Sequence, residues 1–206
     1  MILRRQLDSN THEGGHLVHR PNFWPPVELF DLLALAQHHG IPTRLLDWSR
    51  RSYVAAYFAA SDALKDHEAK KDDDAHELAI WALNIDGIFE RIPNDTFYVA
   101  GGLYPSINLV RSPGSTSANL AAQAGIFTLL KENGVVRGPL INGSLEEEFK
   151  RYPHTPLWKL TLPIAHARDL LNLCEKYSVS AATLFPGYDG AAKAAKEAAR
   201  AGIPLR

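Results

Sequence analysis

The sequence feature that most constrains the fold is the run YVAAYFAA at residues 53–60, which is apolar on nearly every side. A helix with apolar side chains all round its axis is stable in water only when other elements cover it. The many alanines allow those neighbours to approach closely. The run therefore predicts a buried helix that begins at Ser49 or Ser52 and ends near Leu64.

A second helix precedes this one, and a break separates the two. Apolar residues recur at helical spacing from Val27 to Ala36, which predicts a strong, largely buried helix. Gly40 is suited to end it in a left-handed conformation, and Pro42 prevents its continuation. Residues 41–48 are therefore expected to form an ordered connector between two helices.

The remainder of the chain alternates short apolar runs with turn-forming residues. Strands are predicted at 78–83, 96–99, 126–130 and 157–162, and helices at 145–151, 166–177 and 188–201. Residues 65–77 and 101–117 are expected to be loops. The pattern indicates a single α+β domain in which N-terminal helices pack on a small mixed sheet with C-terminal helices. Residues 1–25 form a lead-in segment, and residues 26–206 form the domain.

Composition narrows the classes of partner. The 206 residues include 22 Lys and Arg against 23 Asp and Glu, a net charge of −1, so we expect no extended nucleic-acid-binding surface. No apolar run approaches the roughly 18–20 residues that span a bilayer, and a lone cysteine cannot form an intramolecular disulfide. We therefore expect a cytoplasmic protein with no membrane partner. His12, His16 and His19 lack helical periodicity and an accompanying cysteine, so we predict no metal site.

The strongest chemistry lies in the connector and its flanks, QHHGIPTRLLDW at residues 37–48. A rigid Gly/Pro turn beside buried helices holds side chains in fixed positions, as a ligand site requires. His38 can exchange a proton near neutral pH, and the Asp47 carboxylate can orient it. Arg44 can clamp a phosphate or carboxylate. These three are the candidate catalytic residues.

Four further residues are candidates for ligand binding. Gln37 and Thr43 can supply neutral hydrogen bonds, and Trp48 a stacking wall. Gln123, from a separate segment, is expected to reach the same pocket.

A structural interpretation of the connector stands beside the functional one. Arg44 and Asp47 can pair with each other, and Asp47 or Ser49 can cap the following helix. On this interpretation the connector only locks two helices together, and the protein is a non-catalytic interaction or scaffold module.

The QHHGIPTRLLDW block and the YVAAYFA helix at 53–59 resemble the FRG domain, a prokaryotic family. Two weaker blocks, NLAAQAGIFTL at 119–129 and LFPGYDGAA at 184–192, extend the resemblance over most of residues 28–192. It implies an α+β domain found in bacterial proteins, several of them associated with mobile elements or defence. The Phe-Arg-Gly motif that gives the family its name does not occur here, so a truncated or altered member is expected.

The leading interpretation is thus an FRG-like domain whose polar pocket binds a small anionic or nucleotide-like ligand, in a defence or toxin context. A further alternative is an enzyme resembling ADP-ribosyltransferases, because Ser115-Thr116-Ser117 matches a strand motif of those folds. Gly125 stands where such an enzyme needs a glutamate, so this enzyme would be a degraded one. Whether the domain is an enzyme stays open, and the sequence assigns no cofactor.

Overall fold

The structure is a computed structural model that describes residues 25–70, 76–85, 89–91, 97–100, 107–111, 118–130, 144–150 and 153–201. The chain divides into two units, which are described separately. The first unit comprises Met1–Leu46, Ile85–Ser112 and Phe127–Thr155, and the second comprises Asp47–Asn84, Pro113–Ile126 and Pro156–Arg206.

Helices and strands both contribute substantially to the described residues. The helices are α1 (Phe30–His38), α2 (Ser52–Lys70), α3 (Ala118–Ala122), α4 (Leu145–Phe149), α5 (Ala167–Lys176), α6 (Ala181–Leu184) and α7 (Tyr188–Ala201). The strands are β1 (Leu45–Ser49), β2 (Glu77–Leu83), β3 (Phe89–Arg91), β4 (Phe97–Ala100), β5 (Ile107–Val110), β6 (Gly125–Leu130) and β7 (Leu157–Pro163). The predicted α+β class is confirmed.

The strands form two sheets where one mixed sheet was expected. A five-stranded sheet has the order β1-β6-β5-β4-β3, and β2 pairs with β7 in a two-stranded sheet. The ladders β3–β4, β4–β5, β5–β6 and β2–β7 are all antiparallel. Antiparallel neighbours can be connected without the long crossovers that a parallel pair requires, which suits the short segments that join β3 to β4 and β4 to β5.

The core of the first unit lies around β5, where α1 packs. All four residues of β5 are buried, and Phe30 and Ala34, four positions apart on α1, are each only 2% exposed. Four positions are close to one helical turn, so both side chains lie on the same face of α1. Ser144 caps α4 as predicted, since its side chain accepts a hydrogen bond from the Glu147 amide.

The core of the second unit surrounds α2, the helix predicted to be buried. α2 packs against α5 and β2. The buried cluster consists of Val54, Ala56, Tyr57, Ala60, Leu78, Ala167, Leu171, Cys174, Val179, Ala181 and Leu184. Three of the α2 members are alanine or valine, so neighbouring elements approach its axis closely, as the sequence indicated.

Three sequence-based expectations need correction. Residues 45–49 form β1 where a connector was predicted, and residues 107–110 form β5 where a loop was predicted. Both strands are short, and they are stabilised by pairing partners that are distant in sequence, which local periodicity does not register. α2 extends to Lys70, beyond the predicted end near Leu64, and the Lys65–Asp62 ion pair of 2.8 Å lies along its exposed side.

The predicted lead-in, residues 1–25, falls almost wholly outside the described residues, and its division from the domain stays a prediction. No described helix combines the length and the apolar character that crossing a membrane requires.

Candidate functional site

From here on, the connector means residues 37–48. It begins with a tight helix end at the last turn of α1. The His39 amide donates to the carbonyls of Leu35 and Ala36, both at 3.1 Å. Gly40 has φ of +78°, and the following Ile41 amide returns to the Ala36 carbonyl at 3.0 Å. A left-handed residue that folds the chain back onto the last carbonyls is a common helix ending, and glycine adopts it without strain. The predicted role of Gly40 is confirmed.

Gln37, Thr43 and Leu45 form a hydrogen-bonded group that we name the connector clasp. The Thr43 hydroxyl donates to the Gln37 side-chain oxygen, and Gln37 Nε2 donates to the Leu45 carbonyl at 3.1 Å. The Leu45 amide donates to Thr43 Oγ1 at 3.1 Å. The clasp therefore ties the end of α1 to the first residue of β1, and it fixes the turn between them.

The connector presents polar side chains to solvent on this fixed turn. His38, His39 and Arg44 are exposed, and the two imidazole rings meet edge to face with centroids 5.3 Å apart. Arg44 Nη2 donates to the Leu130 carbonyl, the last of β6, at 3.2 Å. This bond orients the guanidinium group against the end of a strand.

In the second unit, β1 continues through Asp47, which is exposed, and Trp48, which is half-buried. Ser49 ends the strand: its hydroxyl accepts from the Arg51 amide at 3.0 Å and donates to the Gln123 carbonyl at 2.8 Å. Arg51 precedes Ser52, the first residue of α2, so this bond does not cap that helix as the sequence suggested. The second bond joins the backbone carbonyl of Gln123, a predicted ligand-binding residue, to the last residue of β1.

The segment around Gln123 connects three parts of the second unit. Its side-chain nitrogen donates to the Leu184 carbonyl at the end of α6, at 3.2 Å. Arg51 Nη1 donates to the Ala122 carbonyl at 3.4 Å, and the Arg50 amide donates to the Ala124 carbonyl at 3.2 Å. Gln123 therefore contacts both Ser49 at the end of β1 and Leu184, the first residue of the block at 184–192.

The predicted site residues thus divide between the units. His38, Arg44, Gln37 and Thr43 lie in the first, whereas Asp47, Trp48 and Gln123 lie in the second. Within the first unit the structure joins Gln37 to Thr43, and within the second it joins Gln123 to Ser49. The catalytic and ligand-binding roles of these seven residues stay predictions.

One polar cluster in the second unit escaped the sequence analysis. Glu197 of α7 accepts hydrogen bonds from the hydroxyls of Tyr57, at 2.7 Å, and Ser61, at 3.0 Å, both on α2. Burial, and then the bond to Glu197, raise the pKa of the Tyr57 hydroxyl far above its usual range. The partners are 140 and 136 residues apart in sequence, and no local pattern connects them.

Two other chemical groups are held within the protein. Lys193, expected on a solvated face, has its ammonium 3.8 Å from the centre of the Phe185 ring, and burial lowers its pKa. Cys174 is fully buried, and burial raises the pKa of its thiol to about 11. A buried thiol that keeps its proton is a poor nucleophile, which agrees with the inert role predicted for it.

Among the residues that the structure describes, no group of three or more His, Cys, Asp or Glu side chains is arranged to hold a metal ion. The segment containing His12, His16 and His19 lies outside them.

The sequence model of the FRG domain matches residues 6–68. The chain is therefore similar to the FRG domain family over residues 6–68. The matched segment contains α1, the connector, β1 and most of α2, whereas the two weaker blocks of resemblance lie beyond it. No significant match is found among curated proteins or among solved structures. The match to the FRG domain thus includes the connector, but it assigns no ligand to it.

Proposed function

We propose that the FRG-like region of this chain binds a small anionic or nucleotide-like ligand through the connector. The observation that carries this proposal is the contrast between fixed and presented side chains in residues 37–48. Gln37 and Thr43 are half-buried and bonded within the connector clasp, while His38, His39 and Arg44 are exposed on the turn it fixes. Side chains held on a rigid turn lose little conformational entropy when a ligand binds.

Arg44 is the proposed anion clamp. A guanidinium group is always charged, and it carries five N–H donors in a planar fork that matches phosphate and carboxylate. The bond from Nη2 to the Leu130 carbonyl holds one nitrogen of that fork at the end of β6. His38 is the proposed proton-transfer or hydrogen-bonding group, and Asp47 is the proposed orienting carboxylate.

The other predicted residues receive different roles in this proposal. Gln37 and Thr43 act as positioning residues, because the bonds described for them fix the turn itself. Trp48 supplies a stacking surface, and Gln123 a neutral hydrogen bond. Gln123 has capacity for this, since the bond to Leu184 uses an amide hydrogen of its side chain and leaves the acceptor oxygen for another group.

Thermal unfolding in the presence of inorganic phosphate, ATP or NAD⁺ tests the proposal. We expect at least one of the three probes to raise the melting temperature of the wild-type protein. Arg44→Ala and His38→Ala should abolish that rise while changing the melting temperature without ligand by less than about 2 °C, because both residues are exposed. Arg168→Ala, which removes an exposed arginine from α5, is the matched control and should keep the response. The absence of a response to every probe would contradict the proposal.

A scaffold function is the second candidate, and one observation favours it. The bonds described for Gln37, Thr43 and Arg44 all end on groups of the chain itself. If the connector only locks its flanking elements together, then the wild-type protein should respond to no probe. Arg44→Ala should in that case lower the free energy of unfolding as much as Thr43→Val does.

The enzymatic alternative, the defence or toxin context and the cytoplasmic location stay predictions. Ser115-Thr116-Ser117, the motif behind the ADP-ribosyltransferase comparison, lies outside the described residues. Gly125, at the position where that comparison needs a glutamate, is the first residue of β6.

A further inference from the structure

The two-stranded sheet of the second unit has a strand edge that faces away from its partner. β2 and β7 pair in register from Glu77↔Pro163 to Leu83↔Leu157. At the two ends of the ladder, the Asn84 amide donates to the Pro156 carbonyl at 2.8 Å and the Ile164 amide donates to the His76 carbonyl at 2.9 Å.

These end bonds determine which backbone groups of β7 point outward. Hydrogen-bonded and non-hydrogen-bonded pairs alternate along an antiparallel ladder, so the even-numbered residues of β7 bond to β2. Leu157, Lys159 and Thr161 therefore direct their N–H and C=O groups away from β2. Within the described part of the chain no further strand pairs with this edge. An unpaired strand edge is a template for another strand.

An apolar row accompanies this edge on one face of the sheet. Trp158 is 52% exposed and Leu160 is 54% exposed, and alternation places both on the face that carries Leu162. The same face of β2 carries Leu78, which is buried in the core of the second unit. This apolar face is thus buried at Leu78, whereas its β7 residues Trp158 and Leu160 are exposed. Large apolar side chains exposed together indicate a contact surface.

We propose that β7 pairs antiparallel with β7 of a second copy of this chain, about a twofold axis at Leu160. Leu160 is the midpoint of Leu157–Pro163, so only a register centred there pairs all seven residues of the strand. The outward groups of Lys159 and Thr161 then bond to those of the second copy. Pro163 has no N–H, so it ends the ladder.

Charge selects the same register. A register centred on Lys159 would place this side chain, which is the single charged residue of β7, directly opposite itself. Like charges in directly opposed positions destabilise a sheet. With the axis at Leu160, Lys159 instead faces Thr161 of the second copy, Trp158 faces Leu162, and Leu160 faces Leu160. The strand is therefore complementary to itself in both charge and apolar pattern.

The size of the surface predicts a weak dimer. One strand edge with two large apolar side chains buries less than the roughly 1,200–2,000 Å² of a stable interface. The dimer should therefore form only at high protein concentration. No residue of the connector takes part, so either proposal can fail without the other.

Disulfide cross-linking tests the register. Residues in a non-hydrogen-bonded antiparallel pair have Cα atoms about 4.5 Å apart, within the range that a disulfide spans. Under oxidation, Leu160→Cys should therefore form a covalent dimer at least tenfold faster than Lys159→Cys. In the Lys159→Cys dimer the two cysteines would be offset by two residues along the paired strands, which is too far for a disulfide. The native thiol of Cys174 is fully buried and provides a silent background. Equal rates for the two variants, or a faster reaction of Lys159→Cys, overturn the proposal.

Sedimentation of the unmodified chain gives an independent measurement. The wild-type protein should self-associate reversibly as its concentration approaches roughly 1 mM. Leu160→Lys places two like charges at the axis and should weaken the association at least tenfold, with its melting temperature retained because the side chain is half exposed. A wild-type protein that stays monomeric, or a Leu160→Lys variant that associates equally well, contradicts the pairing of β7.

Discussion

The connector clasp and the cluster of Glu197, Tyr57 and Ser61, which we name the Glu197 cluster, both join elements through side-chain hydrogen bonds. The two groups lie in different surroundings. The connector clasp uses a neutral amide and a hydroxyl, both half-buried, on a turn whose other polar side chains are exposed. The Glu197 cluster places a carboxylate between two hydroxyls, Tyr57 and Ser61, that are only 2% and 4% exposed. Water can replace lost bonds at the first location but hardly at the second.

This difference separates two uses of polar residues. Where the partners are buried, as on α2, removal of one leaves the others without hydrogen bonds and lowers the free energy of unfolding. Where they fix an exposed turn, removal mainly loosens the positions of neighbouring side chains. We infer that Tyr57, Ser61 and Glu197 serve the fold, whereas in the proposed function the exposed residues of the connector serve binding.

The largest effect is expected from a pair of glycines, one in each region. A Cβ at Gly190, in α7, would lie 1.8 Å from the Phe185 carbonyl oxygen, whereas a Cβ at Gly40 meets nothing within 4 Å. Gly190→Ala must displace backbone and should lower the free energy of unfolding by at least about 3 kcal/mol. Gly40→Ala carries only the cost of a left-handed alanine, about 1 kcal/mol. Urea unfolding measures the loss of stability in both variants. Equal losses would contradict the difference between the two regions.

Glu197→Ala should have the next largest effect. It leaves the buried hydroxyls of Tyr57 and Ser61 without their acceptor, so we expect a loss of about 2–3 kcal/mol in urea unfolding. Glu175→Ala, which removes an exposed carboxylate from α5, is the control and should cost less than about 0.5 kcal/mol. If the two variants are equally stable, the Glu197 cluster does not serve the fold.

A pH titration should reveal a smaller effect in the same core. The Cys174 thiol has a pKa of about 11 when folded, against 9.0 for an unperturbed thiol. The folded protein therefore holds this proton more tightly, and the stability that depends on it is complete below pH 9 and falls as the pH rises towards 11. Between these values the wild-type protein should lose about 2 kcal/mol more than Cys174→Ala. Tyr57 titrates similarly in both proteins, so parallel curves would show that this thiol is not held in a dry core.

The local features of the fold could be predicted from sequence, because they depend on neighbours along the chain. The end of α1 at Gly40, the cap at Ser144 and the buried face of α2 all follow from spacing and residue type. β1 and β5 could not be predicted in this way, since each is a short strand stabilised by distant partners.

The candidate site shows the same limit. The concentration of polar residues in 37–48 is visible in the sequence, whereas the bond between Ser49 and the Gln123 carbonyl is not. That the Gln123 side chain reaches the same pocket stays a prediction. The difference between half-buried, bonded Gln37 and Thr43 and exposed His38 and Arg44 depends on burial and on individual hydrogen bonds. Only the three-dimensional structure supplies these.

The most direct test of the account is a paired measurement of affinity and stability on Arg44→Ala and Thr43→Val. Calorimetric titration would use whichever of phosphate, ATP and NAD⁺ stabilises the wild-type protein most, and urea unfolding would be measured on the same samples. We expect Arg44→Ala to lose at least tenfold in affinity with almost unchanged stability, and Thr43→Val to lose about 1 kcal/mol of stability through the connector clasp. Full affinity in Arg44→Ala, or its unfolding, would contradict the claim that the connector presents Arg44 for binding.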